Sequence, residues 1–232
     1  MLGAGMPGPR VDMRWVVRRL RAAYGPPAGH RRLPALDELV LTILSQNTSD
    51  TNRDRAYAAM RGRFPGWADV LAAPPGDLVE ALRPGGLANQ KAPRIQAVLA
   101  RLAAGPHGLD LEWLAGLPPA EATAWLVGLP GVGVKTASCV LLFSLGEPVM
   151  PVDTHVHRIA LRLGLIPPRT SAEAAHALLT AQTPADQMLE AHLLLITHGR
   201  RTCRAQRPDC GDCVLRARCP HGRSVLAASP KS

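Results

Sequence analysis

Lysine is nearly absent from this chain of 232 residues: of 27 basic residues, three are Lys and 24 are Arg. Arginine keeps its proton under any condition a protein meets and cannot serve as a nucleophile, whereas an ε-amine can lose its proton where the surroundings disfavour charge. A lysine in a chain that otherwise writes its positive charge as Arg therefore invites a chemical explanation. No run of about 18 apolar residues occurs, which speaks against a membrane-spanning helix. The first ten residues lack the apolar centre of a secretory signal, so the chain reads as cytoplasmic, and disulfides are not expected there. No stretch alternates apolar and polar residues as a strand would.

What is present suits a globular protein: 47% of residues are hydrophobic, enough for one substantial core or two small ones. The net charge of +9 is unevenly spread. Residues 1–32 hold seven Arg and one acid, and residues 198–223 hold seven Arg and two Asp, while residues 33–197 are slightly acidic. If the two basic ends fold together they form one positive lobe, for which a polyanion is the natural partner.

Residues 1–9 are rich in Gly and Pro and are expected to be disordered. The rest reads as roughly ten short helices punctuated by Pro and Gly, giving an all-α fold class. Residues 36–44 are apolar at helical spacing and run into the polar 45–50. Thr170 with Glu173 is expected to cap one helix, and another is expected to start after Thr183 and close at Gly199. Gly128, Gly146 and Gly164 fall where helices should stop, and Pro93 is expected in the first turns of its helix, where its missing N–H costs least.

Residues 118–127 read as a helix, 128–133 as a tight turn and 134–145 as a second helix. The Gly131-Val132-Gly133 turn leaves backbone amides unobstructed at a helix start, where the dipole also favours an anion, so it suits a phosphate without reading sequence. Lys135 falls in the first turn of that second helix, where the dipole disfavours the ammonium form. Eighteen residues on, Asp153 opens a helix over 154–163 as its N-cap, which would hold the carboxylate ionised and aimed. Four of the five cysteines, Cys203, Cys210, Cys213 and Cys219, crowd into one short loop. Only Cys210 and Cys213 form the close pair usual in zinc sites, so the spacing favours an iron–sulfur cluster while leaving zinc open. Cys139, inside an apolar helix, reads as a buried structural thiol.

The hairpin with its Lys, the run Val152-Asp153-Thr154-His155, and His198-Gly199-Arg200 ahead of the four-Cys loop together resemble the endonuclease III family of DNA glycosylase/AP lyases, over roughly residues 33–220. The resemblance implies two helical lobes with a cleft between them. One is a six-helix barrel over 33–146 carrying the helix-hairpin-helix at about 118–145. The other is discontinuous, 1–32 plus 147–232, and holds a [4Fe-4S] cluster on Cys203, Cys210, Cys213 and Cys219. It implies an enzyme acting on double-stranded DNA that contains damaged bases or abasic sites, as a monomer, with no membrane partner. Oxidised pyrimidines would be removed through a Lys135 Schiff base, with Asp153 activating the amine, and the strand cut by β-elimination. By the same resemblance Gln46 fills the hole left by the flipped base, Leu87 wedges between bases, Gly131 and Gly133 hold the DNA backbone, and His155 lies near it.

Two departures stand out. Gln46-Asn47-Thr48-Ser49 places Asp50 one position later than the family's usual pattern, and Ala88 follows Leu87 where relatives carry a bulkier residue. The rival readings are a monofunctional adenine glycosylase, which would lack the Lys and carry a further C-terminal domain, and a non-catalytic DNA-binding module, for which Lys135 and Asp153 would be dispensable.

Overall fold

The computed structural model describes residues 11–29 and 31–228; the segment 1–9, expected to be disordered, lies outside the described residues. Among these residues there are twelve α-helices and no strand: α1 (Met13–Tyr24), α2 (Ala35–Ser45), α3 (Asp50–Arg63), α4 (Trp67–Ala72), α5 (Pro75–Leu82), α6 (Ala88–Ala103), α7 (Pro119–Val127), α8 (Val134–Val140), α9 (Thr154–Leu163), α10 (Ala172–Gln182), α11 (Met188–Arg201) and α12 (Pro220–Ala228). The all-α expectation holds. The chain divides into two compact units, Arg31–Glu147 and the pair of segments Met1–His30 with Pro148–Ser232.

In the unit Arg31–Glu147, α2 is the central helix. Eight of its eleven residues are buried, and it packs on α8, α3 and α6. A helix enclosed on most sides cannot leave its ends to water, so neighbours satisfy them. The Ala35 amide donates to the Glu112 carboxylate at 2.7 Å. At the other end the Lys91 ammonium of α6 donates to the Leu44 carbonyl at 2.7 Å and to the Gly85 carbonyl at 3.4 Å. Lys91 is only 3% exposed, and burial lowers its pKa. One buried cation thereby fixes the end of α2 to the turn that leads into Leu87.

The hairpin forms as expected, with α7 ended by Gly128 and α8 capped by Gly133. The second helix widens to π geometry over Leu141–Leu145 before Gly146 ends it. The freed Ser144 carbonyl accepts from the Arg32 guanidinium. Pro93 lies within the first two turns of α6, but not where its missing N–H would cost least. It is the sixth residue of α6, beyond the first turn, so its missing N–H removes a bond that an ordinary residue would make.

In the other unit, α11 packs between α1 and α9, and α12 lies on α9. Asp12 caps α1 by accepting from the Trp15 amide at 2.8 Å. Two sequence expectations are corrected here. The cap of α10 is Ser171, one residue after Thr170, with its hydroxyl accepting from the Ala174 amide at 3.1 Å. Gly199 does not close α11 but lies within it, where a Cβ would stand 2.7 Å from the Cβ of His155. That glycine serves close packing of α9 on α11. Gly164 does end α9.

Lys91→Met removes the donor and leaves two carbonyls unanswered. The variant is expected to lose about 2–4 kcal/mol of stability, read from urea unfolding. An unchanged urea midpoint would mean that water replaces the ammonium at no cost.

Candidate nucleic-acid interface and catalytic groups

Lys135 is half-buried in the first turn of α8, and its Nζ makes no hydrogen bond or ion pair with any described residue. The first intrahelical bond runs from the Ala137 amide to the Gly133 carbonyl at 3.0 Å, so the amides before it lack intrahelical acceptors. Gly131 and Gly133 are exposed while Leu129 and Val132 are buried. The apolar residues anchor the turn and its glycines face outward. Gly131 adopts φ +69°, and a Cβ there would lie 2.8 Å from Nε of Arg94.

Arg94, on α6, was not singled out by the sequence. Its stem passes beneath Gly131 and its Nη1 donates to Oε1 of Gln46 at 2.7 Å. The end of α2 and the hairpin turn are thus joined through one guanidinium. Gln46 could be placed near the hairpin from sequence only by resemblance, and nothing in the spacing identified Arg94 as its partner. The neighbouring Asn47 is exposed in a left-handed conformation, φ 53°, and its side chain makes no hydrogen bond with a described residue. Leu87 also has φ 53° and is 44% exposed, unusual for a large apolar side chain in a strained backbone position. Asp50 opens α3 just after its cap Ser49 and pairs with Arg53 at 3.2 Å.

Glu38 was also missed. It is 6% exposed, on α2, and its carboxylate accepts from the Thr42 hydroxyl at 3.1 Å. Burial raises its pKa to about 7, against the opposing pull of Thr42, Arg53 and Lys135. A glutamate among apolar residues at helical spacing gives no local sign of whether it faces in or out.

In the unit that includes Pro148–Ser232, Asp153 caps α9, its Oδ1 accepting from the Val156 amide at 2.7 Å. Its Oδ2 has no hydrogen-bond partner among the described residues. The extended segment leading to it is tied at three points: the Met150 amide donates to the Thr180 hydroxyl, and the Met150 and Pro151 carbonyls lie 2.9 Å from Nδ1 of the buried His176 and His192. Arg158 donates to Nδ1 of His155 at 3.0 Å, and because arginine cannot accept, that nitrogen carries the lone pair. His155 is held against Gly199 as described above. Lys135, Gln46, Leu87, Gly131 and Gly133 therefore belong to one unit, and Asp153, His155 and the four cysteines to the other.

Cys203, Cys210, Cys213 and Cys219 line one pocket. Arg162 donates to the Cys203 sulfur and the Gly222 amide to the Cys219 sulfur, each at 3.3 Å. His198 bridges the loop to α1. Its Nε2 is 3.7 Å from the Cys213 sulfur and its Nδ1 is 2.8 Å from the Tyr24 hydroxyl. Burial lowers the His198 pKa to about 4, so the ring is neutral and adds no charge beside the sulfurs. Nε2 of His221, which also lines the pocket, is buried without a partner. Four sulfurs on one pocket, two of them receiving N–H donors, with an orphaned nitrogen on the same wall, fit a group bound by thiolates. Among the described residues no three His, Cys, Asp or Glu side chains are grouped as for a single metal ion. Arg19 and Arg218 of this unit secure α1 to the loop, one donating to the Val214 carbonyl at 3.2 Å and the other lying 4.8 Å from the Trp15 ring.

Amides presented at a helix start, among described residues that form no strand, with the arginines of α1 and of the cysteine loop in one unit, mark a class of proteins that hold nucleic acid by its phosphates. Residues 40–184 match the HhH-GPD superfamily of base excision DNA repair proteins, and the chain belongs to that superfamily. An Arabidopsis thaliana protein named as a DNA glycosylase is 42% identical over 71% of this chain, which spans only 56% of that protein's length. Endonuclease III of Treponema pallidum is 37% identical over 88% of this chain and 92% of its own length. A solved non-covalent endonuclease III–DNA complex is similar with a TM-score of 0.78 and 26% identity, covering 93% of this chain and 97% of that one.

Gly131→Ala is expected to cost about 1–2 kcal/mol in urea unfolding, from left-handed strain before any displacement of Arg94 is counted. Gly133→Ala, whose Cβ would meet nothing within 4 Å, should leave stability unchanged. Equal losses in both variants would contradict the role given to Arg94 beneath the turn.

Proposed function

We propose that this chain is a base-excision DNA glycosylase with AP lyase activity, removing oxidised pyrimidines from double-stranded DNA. The observation that carries the reading is Lys135: a half-buried amine without a bonding partner among the described residues, in the first turn of the helix whose preceding glycines offer amides to a phosphate. The names carried by its relatives and structural neighbours support the same chemistry.

In this reading the hairpin amides take the DNA backbone, and the damaged nucleotide is rotated out of the stack. The Lys135 amine attacks C1′, the C1′–base bond breaks, and the resulting Schiff base leads to β-elimination of the 3′ phosphate. Asp153 takes a proton from the amine and its negative charge stabilises the sugar as positive charge develops. Its cap bond to Val156 keeps one oxygen oriented while Oδ2 remains available. Leu87, exposed and strained, wedges between bases. The vacated space is filled from the end of α2 by Gln46, whose bond to Arg94 must then be exchanged, with the unencumbered Asn47 beside it.

Cys203, Cys210, Cys213 and Cys219 would hold a [4Fe-4S] cluster. When bound, it supplies a rigid cross-link to the loop that carries Arg204, Arg207, Arg216 and Arg218. The protein would act as a cytoplasmic, nucleoid-associated monomer.

Borohydride added with DNA bearing an abasic or oxidised-pyrimidine site is expected to trap a covalent complex with the native chain and none with Lys135→Gln. Trapping that survives the substitution would overturn the role of Lys135. Absence of trapping with any lesion, in a protein that still removes bases, would identify a monofunctional glycosylase.

Purified anaerobically, the protein is expected to be brown and to carry iron and sulfide, with Cys213→Ser losing most of both. A colourless preparation holding stoichiometric zinc would overturn the cluster.

A further inference from the structure

The hairpin alone does not explain why a carboxylic acid should lie inside the helix on which the hairpin rests. Glu38 is 6% exposed, with the Thr42 hydroxyl as its hydrogen-bond partner. Burying a carboxylate with one neutral donor is costly, and a leucine would suit an otherwise apolar helix face better. A residue that costs stability at a structural position is a candidate for chemistry.

The surroundings of Glu38 are well defined. α2 packs closely on α8, and Glu38 lies within electrostatic reach of Lys135 in the first turn of α8. From α3 it is faced by Arg53 and, more weakly, by Tyr57, whose hydroxyl is already committed to Asp37. The π segment Leu141–Leu145 brings no titratable group, and the nearest cation from α6, Lys91, is bound to the Leu44 and Gly85 carbonyls at the opposite end of α2. Arg53 is divided between Asp50 and Asp54. Among the described residues, Lys135 is therefore the cation within reach of Glu38 that has no other partner.

We propose that Glu38 is a positioning residue for Lys135: its carboxylate takes one proton from the Lys135 ammonium and frees the amine's lone pair for attack on C1′. An N–H bond breaks at Nζ, an O–H bond forms on the carboxylate, and the charged pair becomes a neutral pair within the same packed unit. The proton crosses by rotation of the flexible lysine stem or through a bridging water. Enclosure favours this exchange, because a neutral pair costs less to bury than two separated ions. Glu38 titrating near neutrality, rather than near 4.5, also brings the acceptor closer to the amine in proton affinity. Asp153 then takes the second proton, released from the nitrogen once it has bonded to C1′, and stabilises the sugar cation, so the two carboxylates divide the work. The inference rests on the reading of Lys135 as the nucleophile.

The test is single-turnover strand cleavage on DNA with a preformed abasic site, measured from about pH 5.5 to about pH 9. For the native protein the rate should fall about tenfold per pH unit below about pH 7, as Glu38 becomes protonated and can no longer accept. Glu38→Gln keeps the Thr42 bond but cannot accept the proton, so the rate at pH 8 should fall by about tenfold or more and the acidic limb should disappear. Glu38→Asp should recover part of the rate together with a limb.

Stability provides the control for folding. A carboxyl with a raised folded-state pKa favours the folded state fully below its unfolded value of 4.5, and that contribution is lost as pH rises to about 7. Glu38→Gln should therefore melt at or above the native temperature at pH 8, so its slower cleavage cannot be put down to unfolding. A Glu38→Gln protein with native rate and an unchanged limb would overturn the proposal. A native protein that fails to trap with borohydride would instead overturn the reading of Lys135.

Discussion

The contact on which the unit Arg31–Glu147 depends is the Lys91 ammonium bound to the Leu44 and Gly85 carbonyls. It lies where α2 ends and where the chain turns toward Leu87, so a single cation holds both segments in place. Removing such a group leaves buried carbonyls unanswered, and that penalty exceeds the modest net value of the bonds themselves. Gln46 follows α2 directly and Leu87 follows Gly85 by two residues, so neither can shift without disturbing this contact. Arg94, one turn further along α6, extends the connection to the turn at Gly131. Two cations on one helix thus place three loops.

A similar economy operates in the other unit, with histidine in place of lysine. His176 and His192 hold the carbonyls just before Asp153, and His198 spans from Tyr24 to Cys213. All three are buried, and for His198 burial keeps the ring neutral near neutral pH. A neutral imidazole at His198 serves two partners without bringing a charge to a sulfur. Charge in this unit comes instead from arginines, whose stems cover the loop while their guanidinium groups bind carbonyls, as Arg158 and Arg162 do.

Features carried by local chemistry could be read from the sequence: the Gly128 stop, the glycine turn, the Asp153 cap and the clustered cysteines each depend on neighbours a few residues away. One helix end that went wrong did so for a long-range reason. Gly199 resembles a stop signal, yet it is small because His155, 44 residues earlier, packs against it. The scarcity of lysine pointed to Lys135 and applied equally to Lys91, whose role depends on carbonyls 6 and 47 positions away. Glu38 and Arg94 carried no signal at all, because inward and outward faces of a helix cannot be told apart at a single polar residue.

Lys91 and Glu38 are both buried ionisable groups in one packed unit, and the contrast between them argues for different roles. The lysine is answered by two carbonyls, at 2.7 and 3.4 Å, and supports the loops around it. The glutamate has one neutral donor, and burial outweighs the pull of nearby cations to hold its proton affinity near neutrality. A buried charge kept for architecture is usually surrounded by bonds that stabilise its ionised form. A group left in balance between its two protonation states can change charge as chemistry proceeds, at a cost in stability that architecture alone does not require. By that criterion Lys91 belongs to the scaffold and Glu38 to the reaction.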